Sequence, residues 1–279
     1  MELHHGDPAY PAALADCPHP PGTLWARGDL AILGRPTVAI VGTRRATAYA
    51  ERVTRQLAAT LGRAGACVIS GLARGVDASA HRGALEVHGA TAAVLGTGLG
   101  VCYPKAHASL QRDIATRGLL LSELPPDDAA HRGSFPKRNR TIAALARVTI
   151  VVEAPVKSGA LITAAHALEI NRTVAVVPGP IDVPQAQGSN ELLRDGATAV
   201  TSMADALALL GLTAPVRLHD IPEGSAERIV WQALHAGGLD LESLAARASL
   251  PAHETLAAVS ALELRGLIEC ALTGEIRRM

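Results

Sequence analysis

At 279 residues and 48% hydrophobic content, the chain is long enough for one large domain plus a small one, and it is the composition of a globular protein. No apolar run is long enough to cross a bilayer as a helix and the first residues lack a basic-then-apolar leader, so no membrane partner and a cytoplasmic location are expected. The formal net charge of zero would argue against a polyanion-binding protein, but it is a sum over unlike segments.

Residues 1–36 are proline-rich, carry two Arg against four acids, and hold Trp25 among short apolar groups; they are expected to pack on the core as an extension. From 37 to 212 the apolar runs "TVAIV", "ACVIS", "TAAVLG", "GLLLSE", "RVTIVVEA" and "RTVAVVPG" alternate with helix-like segments rich in Ala, Leu, Arg and Glu. That alternation predicts an α/β domain, a Rossmann-like and mostly parallel sheet with crossover helices. Gly, Ser or Pro follows most runs, so the carboxyl ends of the strands open into loops, where open α/β sheets bind ligands. This segment holds 18 Lys and Arg against 13 acids, so the middle domain is net basic.

A proline-bearing linker is expected over 213–224. Residues 225–279 show three helix-period segments and a possible two-stranded ending, the pattern of a small C-terminal winged-helix domain. Asp240 and Ser249 are expected to cap its second and third helices. This part carries six Arg against nine acids. The cysteines Cys17, Cys67, Cys102 and Cys270 are widely spaced, with no C-x-x-C, and read as thiols of a reducing compartment.

The stretch "VAIVGTRRATAYAERV" at 38–53 has the form strand, glycine turn, helix with which a nucleotide-binding domain begins. Aligning Gly42 with the first glycine of G-x-G-x-x-G puts Arg44 and Thr47 at the other two positions, where a backbone would otherwise touch a pyrophosphate. Thr43 and Arg45 complete that turn. Arg74 leaves the second strand of the domain and Lys105 lies beyond the third. The segment "HRGSFPKRNRTIAALARV" at 131–148 holds Arg132, Lys137, Arg138, Arg140 and Arg147 and no acid. With Lys137, Arg138 and Arg140 on a loop and first helical turn, side chains and free amides can face an anion; the alternative is a solvated helix start. Ser158 and Gly159 open another helix whose N-terminus could meet a phosphate, or could pack closely on a strand.

A cleft lined with cations and without nearby acids suits a polyanion better than a single nucleotide. Of the few aromatic residues, Tyr49, Tyr103 and Phe135 stand beside cations, as in single-strand binders that stack bases on rings. Tyr103 reads as a packed turn and Phe135 as the stacking ring. No hydrolase, Walker or zinc signature is present, so neither cofactor, metal nor small-molecule substrate is expected. Asp77 and His81 sit one helical turn apart, with Asp77 placed to cap a helix.

The ordered set "VGTRRATAY", "SGLARGVDASAH", "YPKAH", "SELPP", "FPKRNRTIA", "VVEAPVKSGALITAAHALE", "RTVAVVPG" and "GSNELLRDGA" resembles the DNA-processing protein A family, also called Smf. The likeness runs from about Tyr10 to Leu212, and many members end in a winged helix. It implies a homodimeric, non-enzymatic Rossmann-like protein that binds single-stranded DNA and loads RecA onto it in natural transformation. The family's G-S/T-R motif falls on Gly42, Thr43 and Arg44. Its "F-P-x-R-N-R" segment falls on Phe135 to Arg140, including Asn139, and its lysine near "Y-P" on Lys105. The chain departs at Ala50, where Gly is frequent, and at His107, where Asn is frequent. Two rival classes are a Rossmann-like nucleotide phosphoribohydrolase, whose P-G-G-x-G-T-x-x-E signature is missing, and a winged-helix transcriptional regulator, disfavoured by that domain's acidic balance.

Overall fold

The computed structural model describes residues 1–131, 133–213, 221–264, 267–271 and 274–278. It divides the chain into two compact units, Met1–Ala214 and Pro215–Met279. Arg132 and most of the expected linker lie outside the described residues.

The first unit is built on a nine-stranded sheet. The N-terminal segment does more than pack against it: β1 (Glu2–His4) and β2 (Thr23–Gly28) extend the sheet as antiparallel strands. Each apolar run of the middle segment forms a strand: β3 (Thr37–Val41), β4 (Cys67–Ser70), β5 (Ala90–Leu95), β6 (Leu119–Ser122), β7 (Val148–Val151) and β8 (Thr173–Val176). A short β9 (Thr198–Ala199) follows, and the order is β1-β2-β6-β5-β4-β3-β7-β8-β9, parallel from β6 to β9.

Helices cover both faces, which is why the central strands are apolar without alternation. One layer holds α1 (Ala48–Arg63), α2 (Val76–Glu86), α3 (Ala108–Arg117) and, later in the chain, α7 (Met203–Ala208). The other holds α4 (Ser134–Leu145), α5 (Gly159–Glu169) and α6 (Gln187–Arg194). Side chains of β3 divide between them, with Val38 and Ile40 packed towards α1 and α2, and Ala39 and Val41 towards α4 and α5. Because the helices after β3 and β7 leave to opposite faces, a crevice opens between the carboxyl ends of these two neighbouring strands, at the topological switch point. The thiols of Cys17 and Cys67 are buried and unbridged, and burial pushes Cys67 up to about 12.

In the second unit α8 (Ala226–Ala233), α9 (Leu241–Ala248) and α10 (Ala252–Leu264) enclose Val230, Leu244, Val259 and Leu262. The hairpin of β10 (Ile268–Cys270) and β11 (Ile276–Arg278) forms the wing of a winged helix. Asp240 caps α9 by accepting from the Ser243 amide. Ser249 does not cap the third helix: it ends α9 in the left-handed conformation, φ 55°. Among the described residues no helix is long and apolar enough to cross a membrane.

Candidate nucleic-acid interface

The β3–α1 turn sits at the switch point and is tightly packed. A Cβ on Gly42 would lie 2.5 Å from the Val76 side chain and 2.8 Å from the Glu153 carbonyl, so only glycine fits. The Thr43 amide donates to that same carbonyl at 2.6 Å. Thr47 caps α1 by accepting from the Ala50 amide, and the buried Glu153 carboxylate accepts from both the amide and the hydroxyl of Thr47, each at 2.9 Å. At the helix start, where a dinucleotide-binding loop meets a pyrophosphate, the N-cap amide is therefore held by an internal carboxylate. Ala50, one of the two family departures, is fully buried beneath this cap.

The β4–α2 turn is closed in the same way. Asp77 lies within α2, whose N-cap is Gly75, so it does not cap the helix as expected. Its carboxylate accepts instead from the amides of Gly71 and Ala73 at 3.1 and 3.3 Å. Burial holds its pKa above the usual carboxylate range, against the opposing pull of Arg138 and these amides. His107, the other departure, is buried and donates Nδ1–H to the Leu72 carbonyl at 3.0 Å. His81, fully buried, bonds Thr91 at 2.8 Å, and burial drives its pKa down to about 3.

The basic segment of α4 divides by helical phase. Arg138, Thr141, Ile142 and Leu145 face inwards and are buried. The Arg138 guanidinium donates to the carbonyls of Gly71 (2.7 Å) and Val94, and burial lowers its pKa to about 10 despite Asp77 beside it. Arg140 is held by the His19 carbonyl and by Glu123 at 2.9 Å; Lys137, exposed, reaches the same carboxylate at 3.7 Å. Thr141 donates to Glu123 at 2.5 Å. The expectation of a cleft without nearby acids is thus corrected, since Glu123 and Asp77 engage three of its cations. Asn139 donates to the Gly159 carbonyl at 3.1 Å and accepts from Arg138, tying α4 to the start of α5. Ser158 spends its acceptor on the Ala160 amide as the cap of α5, and Gly159 is exposed beside it.

What remains open is a cleft of about 420 Å³ lined by Thr43, Arg44, Phe135, Arg138 and Ser158. A second of about 500 Å³ shares Arg44, Arg45, Phe135 and Arg138 and extends to Arg74, Tyr103 and Lys105. Arg44, Arg45, Arg74 and Lys105 are exposed, and none has an ion pair among the described residues. Arg44 lies over the Phe135 ring, 5.3 Å from its centroid. Tyr49 stands apart, lining a groove with Val53 and Met203. The sequence thus brings Gly42, Thr43, Arg44, Arg45, Arg74, Lys105, Phe135, Ser158 and Gly159 to one edge, while turning Arg138 inwards. Glu123, Glu153 and Asp77 were not singled out as organisers of that edge, although two of them follow buried strands in "LLLSE" and "TIVVE", where an acid has no solvent-facing reason to be.

Residues 2–211 match the family described as DNA recombination-mediator protein A, and residues 219–271 match the DprA winged helix domain. Protein Smf of Synechocystis sp. is 46% identical over 74% of this chain, a span that is 52% of that protein's length. Protein Smf of Escherichia coli is 37% identical over 98% of this chain and 77% of its own. The crystal structure of DNA processing protein A from Streptococcus pneumoniae superposes with a TM-score of 0.72 at 39% identity, over 75% of this chain and 73% of that one. A structure concerned with the single-stranded DNA binding mode of the Helicobacter pylori protein gives 0.69 at 34% identity, over 76% and 95%.

Proposed function

The chain belongs to the DNA recombination-mediator protein A family, and from that premise we propose that it binds single-stranded DNA along the switch-point cleft. One observation carries the proposal: four exposed cations without acid partners among the described residues, Arg44, Arg45, Arg74 and Lys105, surround a cleft at which the amides of Thr47, Gly71 and Ala73 are held by internal carboxylates. Phosphates tracked by flexible side chains, rather than one pyrophosphate seated on a helix start, is the binding mode this chemistry supports. The solved relative from Helicobacter pylori, described by its single-stranded DNA binding, supports the same reading.

The finer role is a recombination mediator that loads RecA onto incoming single strands during natural transformation, acting as a homodimer in the cytoplasm and without catalysing a reaction. We place the phosphate contacts on the four cations, with Gly42 and Thr43 shaping the turn, Lys137 at the rim, and Ser158 and Gly159 at the floor. Arg138, Asn139 and Arg140 serve the site from within. The winged-helix unit takes a protein-contact or regulatory role, since the exposed face of α10 presents His253, Glu254, Leu256 and Glu263 and a groove-reading helix needs cations near phosphates. A titration without nucleotide, comparing a single-stranded oligonucleotide with the same sequence as duplex, tests the function. Preference for the single strand is expected; equal or tighter duplex binding overturns it.

A further inference from the structure

The winged-helix unit holds a groove with no part in the single-strand cleft. It lies between α8 and α9, has a volume of about 460 Å³, and is lined by Ile229, Gln232, Ala233, His235, Arg247 and Ala248. Ile229, Ala233 and Ala248 give it an apolar floor, while Arg247 and His235 are exposed. Four arginines of this unit are among the described residues, and they divide by partner. Arg277 pairs with Glu269 at 2.8 Å and Arg228 with Glu223 at 4.0 Å. Arg247 and Arg278 have no carboxylate partner among the described residues, in a segment that holds nine acids.

Both of these converge on the carboxyl end of α8. Arg278 stacks on Trp231, 3.4 Å from the ring centroid, and donates to the carbonyls of Trp231 at 2.9 Å and Gln232 at 3.2 Å. Arg247 reaches the Ala233 carbonyl at 3.4 Å through one nitrogen, which leaves the rest of its donor fork free. A bare helix carboxyl end repels anions, but here three of its carbonyls are covered by guanidinium groups. The Nη1 of Arg278 also lies 3.1 Å from His235 Nδ1. Because a guanidinium only donates, Nδ1 is the acceptor and the proton of the neutral imidazole sits on Nε2. A second N–H donor therefore stands at the same groove as Arg247.

We infer that this groove docks a short acidic segment of a partner protein, with one apolar side chain on the floor and a carboxylate held by Arg247 and His235. The inference rests on the protein-contact reading of the winged-helix unit and is independent of the single-strand cleft. Charge complementarity selects the occupant: the unit's acids leave these two arginines unpaired, so the groove is a cationic spot on a domain of acidic balance. A nucleic-acid backbone would also meet the cations. It has no apolar group for the floor, however, and it needs cations along a path, where this groove has them at one helix end.

The test titrates the full chain with a fluorescein-labelled peptide, Glu-Asp-Leu-Leu-Asp-Glu, with its counterpart carrying Gln and Asn for the acids, and with a single-stranded oligonucleotide. The acidic peptide should bind saturably and weaken with salt, and the amide counterpart should not bind. Arg247→Gln should weaken the acidic peptide about five- to tenfold, between the worth of an exposed ion pair and that of a charged hydrogen bond. Arg247→Lys should recover most of that loss, which separates charge from any folding defect. Arg277→Gln makes the same charge change off the groove and should stay within about twofold of parent. All three variants should keep parent affinity for the oligonucleotide. No saturation by the acidic peptide up to about 1 mM, or equal losses in Arg247→Gln and Arg277→Gln, overturns the docking site. It is also overturned, in favour of a nucleic-acid site, if Arg247→Gln loses affinity for the oligonucleotide and not for the peptide. A parent chain that takes the acidic peptide in the expected way but fails to bind the oligonucleotide upholds the groove and sinks the single-strand cleft alone.

Discussion

Arg138→Met separates a structural cation from a ligand-binding one. The guanidinium is buried, spans the ends of β4 and β5 through the carbonyls of Gly71 and Val94, and faces the buried Asp77. Removing it strips two carbonyls of a charged donor and leaves Asp77 without its cationic neighbour. Breaking a buried pair from one side costs about 3–5 kcal/mol. In a unit of this size that is a fall in melting temperature of roughly 6–20 °C. The loss depends on pH. Asp77 already binds its proton more tightly in the folded state than its unfolded value of 3.8, and Arg138 is the largest influence holding that pKa down. Without Arg138 the folded pKa rises further. A carboxyl with a raised folded pKa contributes its stability below the unfolded pKa and loses it as pH climbs towards the folded one. The deficit of Arg138→Met should therefore be smallest near pH 4 and deepen towards neutrality, and Asp77→Asn added to it should recover part of the loss. Urea unfolding of parent, single and double variants at pH 4.5 and 7.5 reads this directly, with Lys137→Met, an exposed control, staying within about 0.5 kcal/mol of parent. Stability within about 1 kcal/mol of parent, together with lost affinity for single strands, would refute the clamp and return Arg138 to the DNA.

Four further outcomes are expected. If Arg44, Arg45, Arg74 and Lys105 each neutralise a phosphate, a fourfold rise in salt should weaken single-strand binding roughly fifty-fold, and Arg44→Ala should flatten the slope by about 0.7; a flat salt response sinks the electrostatic cleft. Neither ATP nor NAD should give saturable heat by calorimetry at micromolar concentration, since Arg44 stands where a dinucleotide loop has its second glycine and Glu153 holds the Thr47 amide. His81 stays neutral when folded, with a pKa of about 3, so the unfolded chain takes up its proton first as pH falls from 6.5; the parent should lose up to about 1.4 kcal/mol per pH unit in that window, and His81→Gln should lose less. A chain ending at Thr213 should keep near-parent affinity for single strands, and a loss beyond tenfold in a folded truncation would move the site to the winged-helix unit.

The parallel core was legible because its strands are buried on both faces, and such strands read as unbroken Val, Ile and Ala runs. Strands β1 and β2 were not. Glu2–His4 is a three-residue edge strand, and Thr23–Gly28 alternates half-buried and buried positions only as far as Ala26 before two exposed residues, so each alternation is too short to stand out. At the site, "FPKRNR" announced cations but not their directions. The phase was nonetheless written one turn further on: Thr141, Ile142 and Leu145 are the apolar-facing residues of α4, and stepping back three and four positions from Thr141 and Ile142 lands on Arg138. A basic segment read by composition alone gives every cation to solvent; read by helical phase, it gives one of them to the core.

The placement of the acids explains how a nucleotide-type fold can present a different kind of site. At the switch point the amide of Thr47 goes to Glu153, and in the neighbouring β4–α2 turn those of Gly71 and Ala73 go to Asp77. These are the groups that would otherwise grip a phosphate, and they are rigid, so a ligand held by them has one position and one orientation. With these amides held internally, the free charges at the cleft are those of Arg44, Arg45, Arg74 and Lys105, which ride on flexible stems. Flexible cations give up geometric selectivity for a single pyrophosphate and accept phosphates over a range of positions. A repeating polyanion can use that tolerance. An isolated cofactor gains little from it, since without the amide cradle nothing fixes its reactive end. In the proposed single-strand reading, the two buried carboxylates therefore matter as much as the exposed cations, because they take up amides a cofactor would use and leave the flexible cations to a strand.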